Sequence, residues 1–169
     1  LVAMSFGAED FTNSIHSERT KDGIELLVAR ANIVMAARAV GIDPIDTVYS
    51  NVDDDDGFKA DALRSKQMGF SGKSCVHPRQ VRMVHEIFRP SEKEIHRAQT
   101  VVAAIEDAER RGSGVVSVDG RMVDVSRREH DALRRLVDGP IVLKAERVLQ
   151  LAEAAGMLKG GDLDGDGRE

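Results

Sequence analysis

Two adjacent carboxylates near the start of the chain, Glu9 and Asp10, are the first residues that could do chemistry. They follow Gly7, which ends a run of apolar and small residues, 1–6, typical of a buried strand. Carboxylate oxygens suit a hard divalent cation, and α/β proteins hold ligands at the carboxyl ends of parallel strands. Two interpretations are open from the residues alone: a metal or substrate site, or an Asp that caps the next helix.

A run of four aspartates, 53–56, forms a second acidic cluster. It precedes a predicted helix from Phe58 to Met68, where negative charge complements the amino-terminal end of the helix dipole. We favour this solvated, helix-capping role over a metal site. Only Asp53 is kept as a possible site-facing group, because it lies closest to the end of the preceding strand.

Lys73 and His77 lie near the carboxyl end of a short strand predicted over 72–76. Pro78 then starts a helix that is predicted to reach Phe88. A His before Pro fastens a turn by hydrogen bonding more often than it catalyses a reaction. We therefore predict that His77 is structural or substrate-lining, and that Lys73 is substrate-lining.

The elements that must position these groups alternate between strand and helix. Strands are predicted over 1–6, 45–50 and 72–76, and helices over 24–40, 58–68 and 78–88, with a turn at 43–44 and a long loop over 12–23. This alternation is typical of a parallel sheet with right-handed crossovers, as in a TIM barrel or a doubly wound fold.

The remainder of the chain has a different character. Ser91 and Glu94 form a capping-box pattern that starts a helix through Glu109. A hairpin is predicted over 114–124, with Asp119-Gly120 at its turn, and a further helix over 141–155. The last ten residues, 160–169, contain aspartates spaced like the opening of a calcium loop, but the later ligands do not follow, so we expect a disordered acidic tail.

Composition narrows the function classes. The chain has 169 residues, 41% of them hydrophobic, which is enough for a substantial core. Its net charge of -5 and interspersed signs do not favour nucleic-acid binding, and no apolar run approaches the ~18 residues of a membrane span. The single cysteine, Cys75, fits a cytoplasmic protein and is expected to be a small core residue.

Several ordered motifs resemble the carboxyl-terminal part of citrate lyase beta subunits, within the HpcH/HpaI aldolase family that also contains citramalyl-CoA and malyl-CoA lyases. The motifs lie in residues 7–11, 19–27, 45–50, 68–74, 77–80 and 120–124. The resemblance implies that the chain forms about three βα units at the carboxyl-terminal end of a TIM (β/α)8 barrel, followed by a hairpin-and-helix extension. On this basis we assign 1–90 to a partial catalytic domain, 91–159 to an extension for subunit contacts and 160–169 to the tail.

The resemblance also implies a reaction. Members of the family use a divalent metal, usually magnesium (Mg2+), to cleave a carbon-carbon bond in a hydroxy-acyl thioester such as citryl-ACP or citryl-CoA. Asp10 matches the metal-binding Asp of the family, whereas Glu9 beside it is expected to orient loops or water and to line the substrate site. The implied partners are acyl carrier protein or a coenzyme A thioester, within a homo-oligomer or a citrate lyase complex.

The acid/base residue of the family comes from the hairpin and acts in a neighbouring subunit. Asp124 matches this position because Gly120-Arg121-Met122 precedes it. The family pattern runs from Met-Val-Asp directly into Gly-Pro, but here a charged segment separates Asp124 from Asp138-Gly139-Pro140. Asp138 is therefore the alternative acid/base residue.

Two function hypotheses follow. The second metal carboxylate of the family, and the Arg that binds the keto-acid carboxylate, belong to strands that precede the motifs seen here. We therefore expect the isolated chain to be inactive and to need the rest of a barrel. The alternative is a non-catalytic remnant that acts only as a subunit-contact module.

Overall fold

A computed structural model describes residues 1–113, 115–118, 121–124 and 139–158. The chain divides into two compact units, Leu1–Phe88 and Arg89–Glu169, and each is described by itself. In the described ranges, no helix combines the length and the apolar character needed to cross a bilayer.

The first unit alternates strand and helix. Its elements are β1 (Ala3–Ser5), α1 (Ala8–Ser14), a 3-10 turn (Ile24–Leu26), α2 (Leu27–Ala39), β2 (Asp43–Asp46), α3 (Asp55–Met68), β3 (Gly72–Lys73) and α4 (Pro78–Phe88). The strands form a parallel sheet in the order β1-β2-β3, with Ser5 opposite Ile45 and Ile45 opposite Gly72. The prediction of an α/β fold with parallel strands is confirmed.

The acidic run before α3 caps that helix. Asp54 is the N-cap residue, and its Oδ1 accepts a hydrogen bond from the Gly57 amide at 2.9 Å. Asp55 and Asp56 occupy the first turn of the helix, where they complement the helix dipole. Gly69 ends the helix with φ at 100°, a left-handed conformation that glycine adopts without steric cost. The helix-capping interpretation is confirmed.

The predicted boundaries of the strands were wrong. The predicted turn at Asp43-Pro44 is the start of β2: Asp43 N donates to Val2 O at 3.1 Å, and Pro44 O accepts from Ser71 N at 2.8 Å. Pro44 is tolerated there because it lies near the start of the strand and still supplies its carbonyl to the sheet. The strands are also shorter than predicted, with three residues in β1, four in β2 and two in β3.

The segment predicted as a loop over 12–23 begins inside a helix. Helix α1 continues to Ser14, and the Thr12 hydroxyl donates to Ala8 O at 2.9 Å within it. The polar composition concealed the helix because Ser, Thr and Asn side chains can bond to backbone in either structure. The loop is therefore confined to 15–23.

The second unit contains α5 (Glu92–Arg110), the antiparallel strands β4 (Val115–Val118) and β5 (Arg121–Asp124), and α6 (Gly139–Ala154). The predicted capping box forms, with Ser91 N donating to Glu94 Oε2 at 2.8 Å and Glu94 N donating to Ser91 Oγ at 3.2 Å. Apolar side chains of α5 and α6, including Ile105 and Leu149, form its core. The predicted hairpin turn at 119–120, the inserted segment 125–138 and the tail 160–169 lie outside the described residues.

Candidate active site

Polar side chains from two strand ends meet at the carboxyl edge of the parallel sheet. The segment after β1 carries Glu9 and Asp10, and the segment after β2 carries Thr47 and Ser50. Ser50 Oγ donates to Glu9 Oε1 at 3.3 Å, which joins the two segments directly. This edge is where a parallel α/β protein holds its ligand.

Asp10 is the third residue of α1, and its side chain is exposed at this edge. The N-cap of α1 is Gly7, so Asp10 does not act as the N-cap residue. One carboxylate oxygen of Asp10, Oδ2, lies 3.4 Å from the position that a Cβ atom on Gly7 would occupy. Asp10 therefore turns back over the end of β1 and presents a carboxylate to solvent there.

Glu9 has a different environment from Asp10. Its Oε1 accepts a hydrogen bond from Arg19 Nη1 at 2.7 Å and one from Ser50 at 3.3 Å. Arg19 belongs to the loop over 15–23, so Glu9 links α1 both to this loop and to the end of β2. Within the first unit, Glu9 thus holds neighbouring segments in place.

Glu25 organises the same loop from the other side. Its two carboxylate oxygens accept hydrogen bonds from Thr20 N at 3.1 Å and Thr20 Oγ1 at 2.6 Å. Burial opposes ionisation of Glu25, but the hydrogen bonds from Thr20, together with a bond from the Glu25 backbone and the nearby Arg19 guanidinium, lower the pKa of this carboxyl below its usual value. Thr20 in turn accepts from Gly23 N at 3.0 Å, so the loop is closed by a compact polar cluster.

Lys21 connects the loop to the start of α3. Its ammonium lies 2.8 Å from Asp54 Oδ2, which also accepts a hydrogen bond from the Tyr49 hydroxyl at 2.8 Å. The Lys21 ammonium, the Gly57 amide and the Tyr49 hydroxyl together lower the pKa of Asp54 to about 2. Asp54 therefore serves as a helix cap and as an anchor for the loop.

Lys73 lies beneath the sheet edge, in a buried ion-pair network. Its ammonium donates to Asp61 Oδ2 at 2.6 Å, Thr47 O at 2.8 Å and Asp46 Oδ2 at 3.4 Å, and its side chain is 0% exposed. Arg30 completes the network through Nη2, which lies 2.9 Å from Asp46 Oδ2 and 3.0 Å from Asp61 Oδ1. All of these contacts lie within the protein, which gives Lys73 a structural position.

The network balances its own charge. Burial opposes ionisation of Asp61, but the Lys73 ammonium and the Arg30 guanidinium more than offset it and keep the pKa of Asp61 below its usual value. Ser65 adds hydrogen bonds to the Asp46 carboxylate and, at 2.9 Å, to the Asp61 carbonyl oxygen. Two cations and two carboxylates are therefore buried together rather than left unpaired.

Sequence reasoning missed the burial of Arg30 and Asp61. Both fall at positions that look polar and solvent-facing on their helices, yet Arg30 is 1% exposed and Asp61 is 7% exposed. The available signal was the presence of opposite charges on consecutive elements. That signal is weak, because most charged residues on helices face solvent.

His77 caps helix α4 at the third strand end. His77 Nδ1 accepts from Arg79 N at 3.2 Å, while Gln80 Oε1 accepts from Val76 N at 2.9 Å and His77 N at 3.3 Å. This reciprocal arrangement is the same in kind as a capping box. The His77 side chain is exposed, and Gln80, which the sequence analysis did not single out, is 1% exposed.

The remaining predicted residues are placed as follows. Asp53 is exposed and pairs with Arg79 Nη2 at 3.1 Å, so it belongs to a surface ion pair. Cys75 packs against the cluster around Phe58, and burial raises the pKa of its thiol. Asp124 is the last residue of β5, opposite Val115, and Asp138 lies outside the described residues.

Among the described residues at this edge, both Glu9 and Asp10 are exposed, but the Glu9 carboxylate is already bonded to Arg19 and Ser50. In the part of the chain that the structure describes, no three His, Cys, Asp or Glu side chains are grouped as a metal-binding set. Asp10 nevertheless fits the role of one ligand, because its carboxylate is a hard oxygen donor, is exposed and has no protein partner among the described residues. Further ligands would have to come from substrate, water or other protein segments.

Residues 1–78 match the HpcH/HpaI aldolase/citrate lyase family. The citrate lyase subunit beta of Leuconostoc mesenteroides subsp. cremoris is 44% identical over 154 residues, covering 91% of this chain and 46% of that protein. The chain belongs to the HpcH/HpaI aldolase/citrate lyase family. It spans about half the length of the curated relatives it matches.

Two further proteins are similar to this chain. The mitochondrial citramalyl-CoA lyase of Rattus norvegicus is 34% identical over 152 residues, covering 90% of this chain and 41% of that protein. Protein CitE from Mycobacterium tuberculosis, solved in complex with magnesium, acetoacetate and coenzyme A, matches with a TM-score of 0.65 and 28% identity, covering 89% of this chain and 51% of that one. The family assignment made from the sequence motifs is confirmed.

Proposed function

We propose that this chain is the part of a carbon-carbon lyase that carries one metal-binding carboxylate. The lyase cleaves citryl-ACP or citryl-CoA into oxaloacetate and an acetyl thioester. The observation that carries this proposal is the 44% identity to a citrate lyase subunit beta along 91% of the chain. The exposed position of Asp10 at the carboxyl edge of the sheet supports it.

Asp10 is the proposed magnesium ligand. When bound, magnesium supplies Lewis-acid polarisation of substrate oxygens, which stabilises charge that develops as the carbon-carbon bond breaks. The solved relative from Mycobacterium tuberculosis was obtained with magnesium, which supports this choice of metal. Glu9 supports Asp10 indirectly, since it holds α1 against the loop and against Ser50.

The proposed reaction needs a base and then an acid. The substrate hydroxyl loses its proton as the carbon-carbon bond breaks, and the electron pair of that bond passes to the acetyl thioester, which then takes up a proton at carbon. We assign the proton transfer to Asp124, supplied to a neighbouring subunit, with Asp138 as the alternative. His77 and Glu9, whose side chains are exposed, are retained as weaker substrate-lining candidates, whereas Lys73, with its side chain 0% exposed and bonded to Thr47 and Asp61, is assigned a structural role.

We further propose a domain assignment, a substrate carrier and an assembly for this chain. We place residues 1–90 in the carboxyl-terminal part of a TIM barrel and residues 91–159 in an extension for subunit contacts. The partner is an acyl carrier protein or a coenzyme A thioester of a hydroxy acid, in a cytoplasmic homo-oligomer or citrate lyase complex. The names of the citrate lyase and citramalyl-CoA lyase relatives support this substrate class.

A citramalyl-CoA lyase, or a malyl-CoA lyase, is the second candidate. The 34% identity to a citramalyl-CoA lyase over 90% of the chain favours it specifically. A panel of citryl-CoA, citramalyl-CoA and malyl-CoA, each assayed for release of its keto acid with magnesium, distinguishes these activities by the preferred substrate.

The test compares the 169-residue chain alone with the chain mixed with the amino-terminal half of a citrate lyase beta subunit. We expect no turnover by the chain alone, because its described residues present one metal carboxylate, and magnesium-dependent turnover by the mixture. Asp10→Asn should abolish the turnover of the mixture. Asp56→Asn is the matched control, since Asp56 is also an exposed acid in the first turn of a helix.

Three results would contradict the proposal. Turnover by the chain alone would overturn its expected dependence on further barrel segments. Full activity of the Asp10→Asn mixture would remove Asp10 from the metal site. Assembly into a complex without any turnover on the three substrates would instead favour a subunit-contact module.

A further inference from the structure

Thr47 is the first residue after β2, and it is almost fully buried, with 2% of its surface exposed. Its hydroxyl oxygen accepts a hydrogen bond from the backbone amide of Ala8 at 3.2 Å. Ala8 is the first residue of α1, so this bond joins the end of one strand to the start of the helix that follows the neighbouring strand.

This bond satisfies a group that α1 itself leaves without a partner. The first amides of a helix have no intrahelical acceptor, and a capping side chain usually provides one. The N-cap of α1 is Gly7, which has no side chain for this purpose, and no side-chain cap bond forms there. Thr47 therefore supplies, from an adjacent strand, an acceptor for the first amide of α1.

The bond also fixes where Asp10 lies. Asp10 is two residues after Ala8, in the same helical turn. Its carboxylate lies 3.4 Å from the position that a Cβ atom on Gly7 would occupy. Rotation or fraying of this first turn would displace the carboxylate from the edge of the sheet. A second strand-to-strand bond, from Phe6 N to Ile45 O at 3.1 Å, ends just before this turn.

Thr47 is also bonded to the buried ion-pair network through Lys73. Its carbonyl oxygen accepts from Lys73 Nζ at 2.8 Å, and the same ammonium contacts Asp61 Oδ2 at 2.6 Å. Thr47 thus accepts one hydrogen bond through its backbone, from the buried Lys73, and one through its side chain, from the helix that contains Asp10. A direct series of contacts runs from Lys73 through Thr47 to Ala8.

We propose that Thr47 is a positioning residue that orients Asp10 for metal binding, and that Lys73 acts in the site by holding Thr47. This inference rests on the proposed role of Asp10 as a metal ligand. Threonine is required for its hydroxyl: valine has the same shape but offers no acceptor to Ala8, whereas serine keeps the acceptor.

The experiment mixes the isotope-labelled 169-residue chain with the unlabelled amino-terminal half of a citrate lyase beta subunit, as in the activity test, titrates the mixture with Mn2+ and follows paramagnetic broadening of the backbone amide resonances of the labelled chain. In the unmodified chain, we expect broadening centred on Asp10. Thr47→Val should raise the Mn2+ concentration for half-broadening by roughly tenfold or more, the size of effect seen when a residue that orients a metal ligand is lost. Thr47→Ser should return it close to the original value, and amide exchange at Ala8 should follow the same order.

Two controls separate the inference from the proposed function. Asp10→Asn should abolish the broadening, whereas Thr100→Val, at an exposed threonine of α5, should leave it unchanged. If Asp10→Asn abolishes the broadening but Thr47→Val does not weaken it, the positioning role is overturned while Asp10 remains a ligand. If broadening is absent from the unmodified chain, or is unchanged in Asp10→Asn, the metal role and the inference that rests on it both fail.

A folding defect in Thr47→Val would show as loss of dispersion in the amide spectrum. Thr47→Ala then serves as the second variant, since it removes the same acceptor without placing a methyl group against the Ala8 amide. Weakened Mn2+ binding in a folded Thr47→Ala chain, with recovery in Thr47→Ser, supports the inference. Binding equal to that of the unmodified chain overturns it.

Discussion

At the scale of single residues, removing one charge from the buried network beneath the sheet should destabilise the fold strongly, because it leaves the remaining charges without a full set of partners. Lys73 is one of two cations that face Asp46 and Asp61, and its side chain is 0% exposed. Lys73→Met keeps the length of the side chain but leaves the carboxylates with Arg30 as their remaining cation. We expect the free energy of unfolding to fall by about 3–5 kcal/mol, as for other broken buried ion pairs.

Tyr49 reports this loss directly. It is the single tyrosine of a chain without tryptophan, and it lies in the first unit, so its fluorescence during urea unfolding measures that unit. Lys59→Met is the matched control, because Lys59 lies on α3 with its side chain 54% exposed. Its effect should stay within about 0.5 kcal/mol. Equal effects of the two substitutions would show that the network contributes no more than a surface pair.

The ionisation of Asp54 gives a second prediction at this scale. Its pKa is lowered from 3.8 to about 2, so the folded state favours the carboxylate more than the unfolded state does. The stability that Asp54 contributes is therefore present above about pH 4 and is lost as pH falls toward about 2. Lys21→Met removes the first of the interactions that lower this pKa, and the Asp54 pKa should rise toward 3.8.

A carbon-detected NMR titration of the Asp54 carboxyl group measures this change. The pKa in Lys21→Met should stay below the ordinary value, because the Gly57 amide and the Tyr49 hydroxyl still donate to Asp54. Lys59→Met serves again as the control and should leave the titration of Asp54 unchanged. An unaltered Asp54 pKa in Lys21→Met would exclude the Lys21 contact as its cause.

At the scale of elements, the Gln80 side chain stabilises the start of α4 and also contacts Tyr49, in the segment that follows β2. Gln80 accepts hydrogen bonds from Val76 N and His77 N, and its Nε2 donates to Tyr49 O at 3.2 Å. Gln80→Ala leaves these backbone groups without their partner, at a cost of roughly 1–3 kcal/mol. We expect amide exchange to accelerate at Val76 and His77, just before α4, at a lower denaturant concentration than in the helix itself.

Gln80→Glu separates the two functions of this side chain. Glutamate keeps the oxygen acceptors for Val76 and His77 but lacks the amide donor to Tyr49. Exchange at Val76 and His77 should therefore remain slower than in Gln80→Ala. Equal acceleration in both variants would show that the bond to Tyr49, rather than the helix cap, sets the protection of these amides.

At the scale of the whole molecule, local patterns predicted the order of the elements better than their ends. Helix α4 occupies Pro78–Phe88 as predicted, because proline and the apolar spacing both mark its position. The start of the first predicted loop and the start of β2 were wrong, since Thr12 and Pro44 are each compatible with two structures that tertiary contacts decide between.

Sequence motifs predicted which residues form the candidate site, whereas contacts between distant segments determine where those residues lie. The position of Asp10 after a glycine at a strand end was visible in the sequence, whereas the support from Thr47 depends on two residues 39 positions apart that meet only in the sheet. Arg30 illustrates the same limit. Its burial follows from the carboxylates of Asp46 and Asp61, which lie on other elements, and no pattern within α2 indicates them.

Each of the two units has its own apolar core, so we expect the two units to respond separately to core substitutions. Ile105 is 2% exposed in the core that α5 and α6 form, and all buried members of that core belong to the second unit. Ile105→Ala removes packed methyl groups and should lower the stability of this unit by about 2–5 kcal/mol. Amide exchange followed by mass spectrometry should accelerate in peptides of α5 and α6, while the unfolding transition reported by Tyr49 stays in place.

Phe58→Ala is the reciprocal variant, in the core of the first unit. Phe58 is 1% exposed in the first unit, and its ring lies edge-on to Tyr49 with centroids 6.2 Å apart. Phe58→Ala should shift the Tyr49 transition to lower urea, by about 3–5 kcal/mol, and leave the exchange of α5 and α6 unchanged. If either substitution moves both measurements together, the units unfold as one cooperative structure. Separate responses mean that each core, with its own apolar cluster, stabilises its own unit.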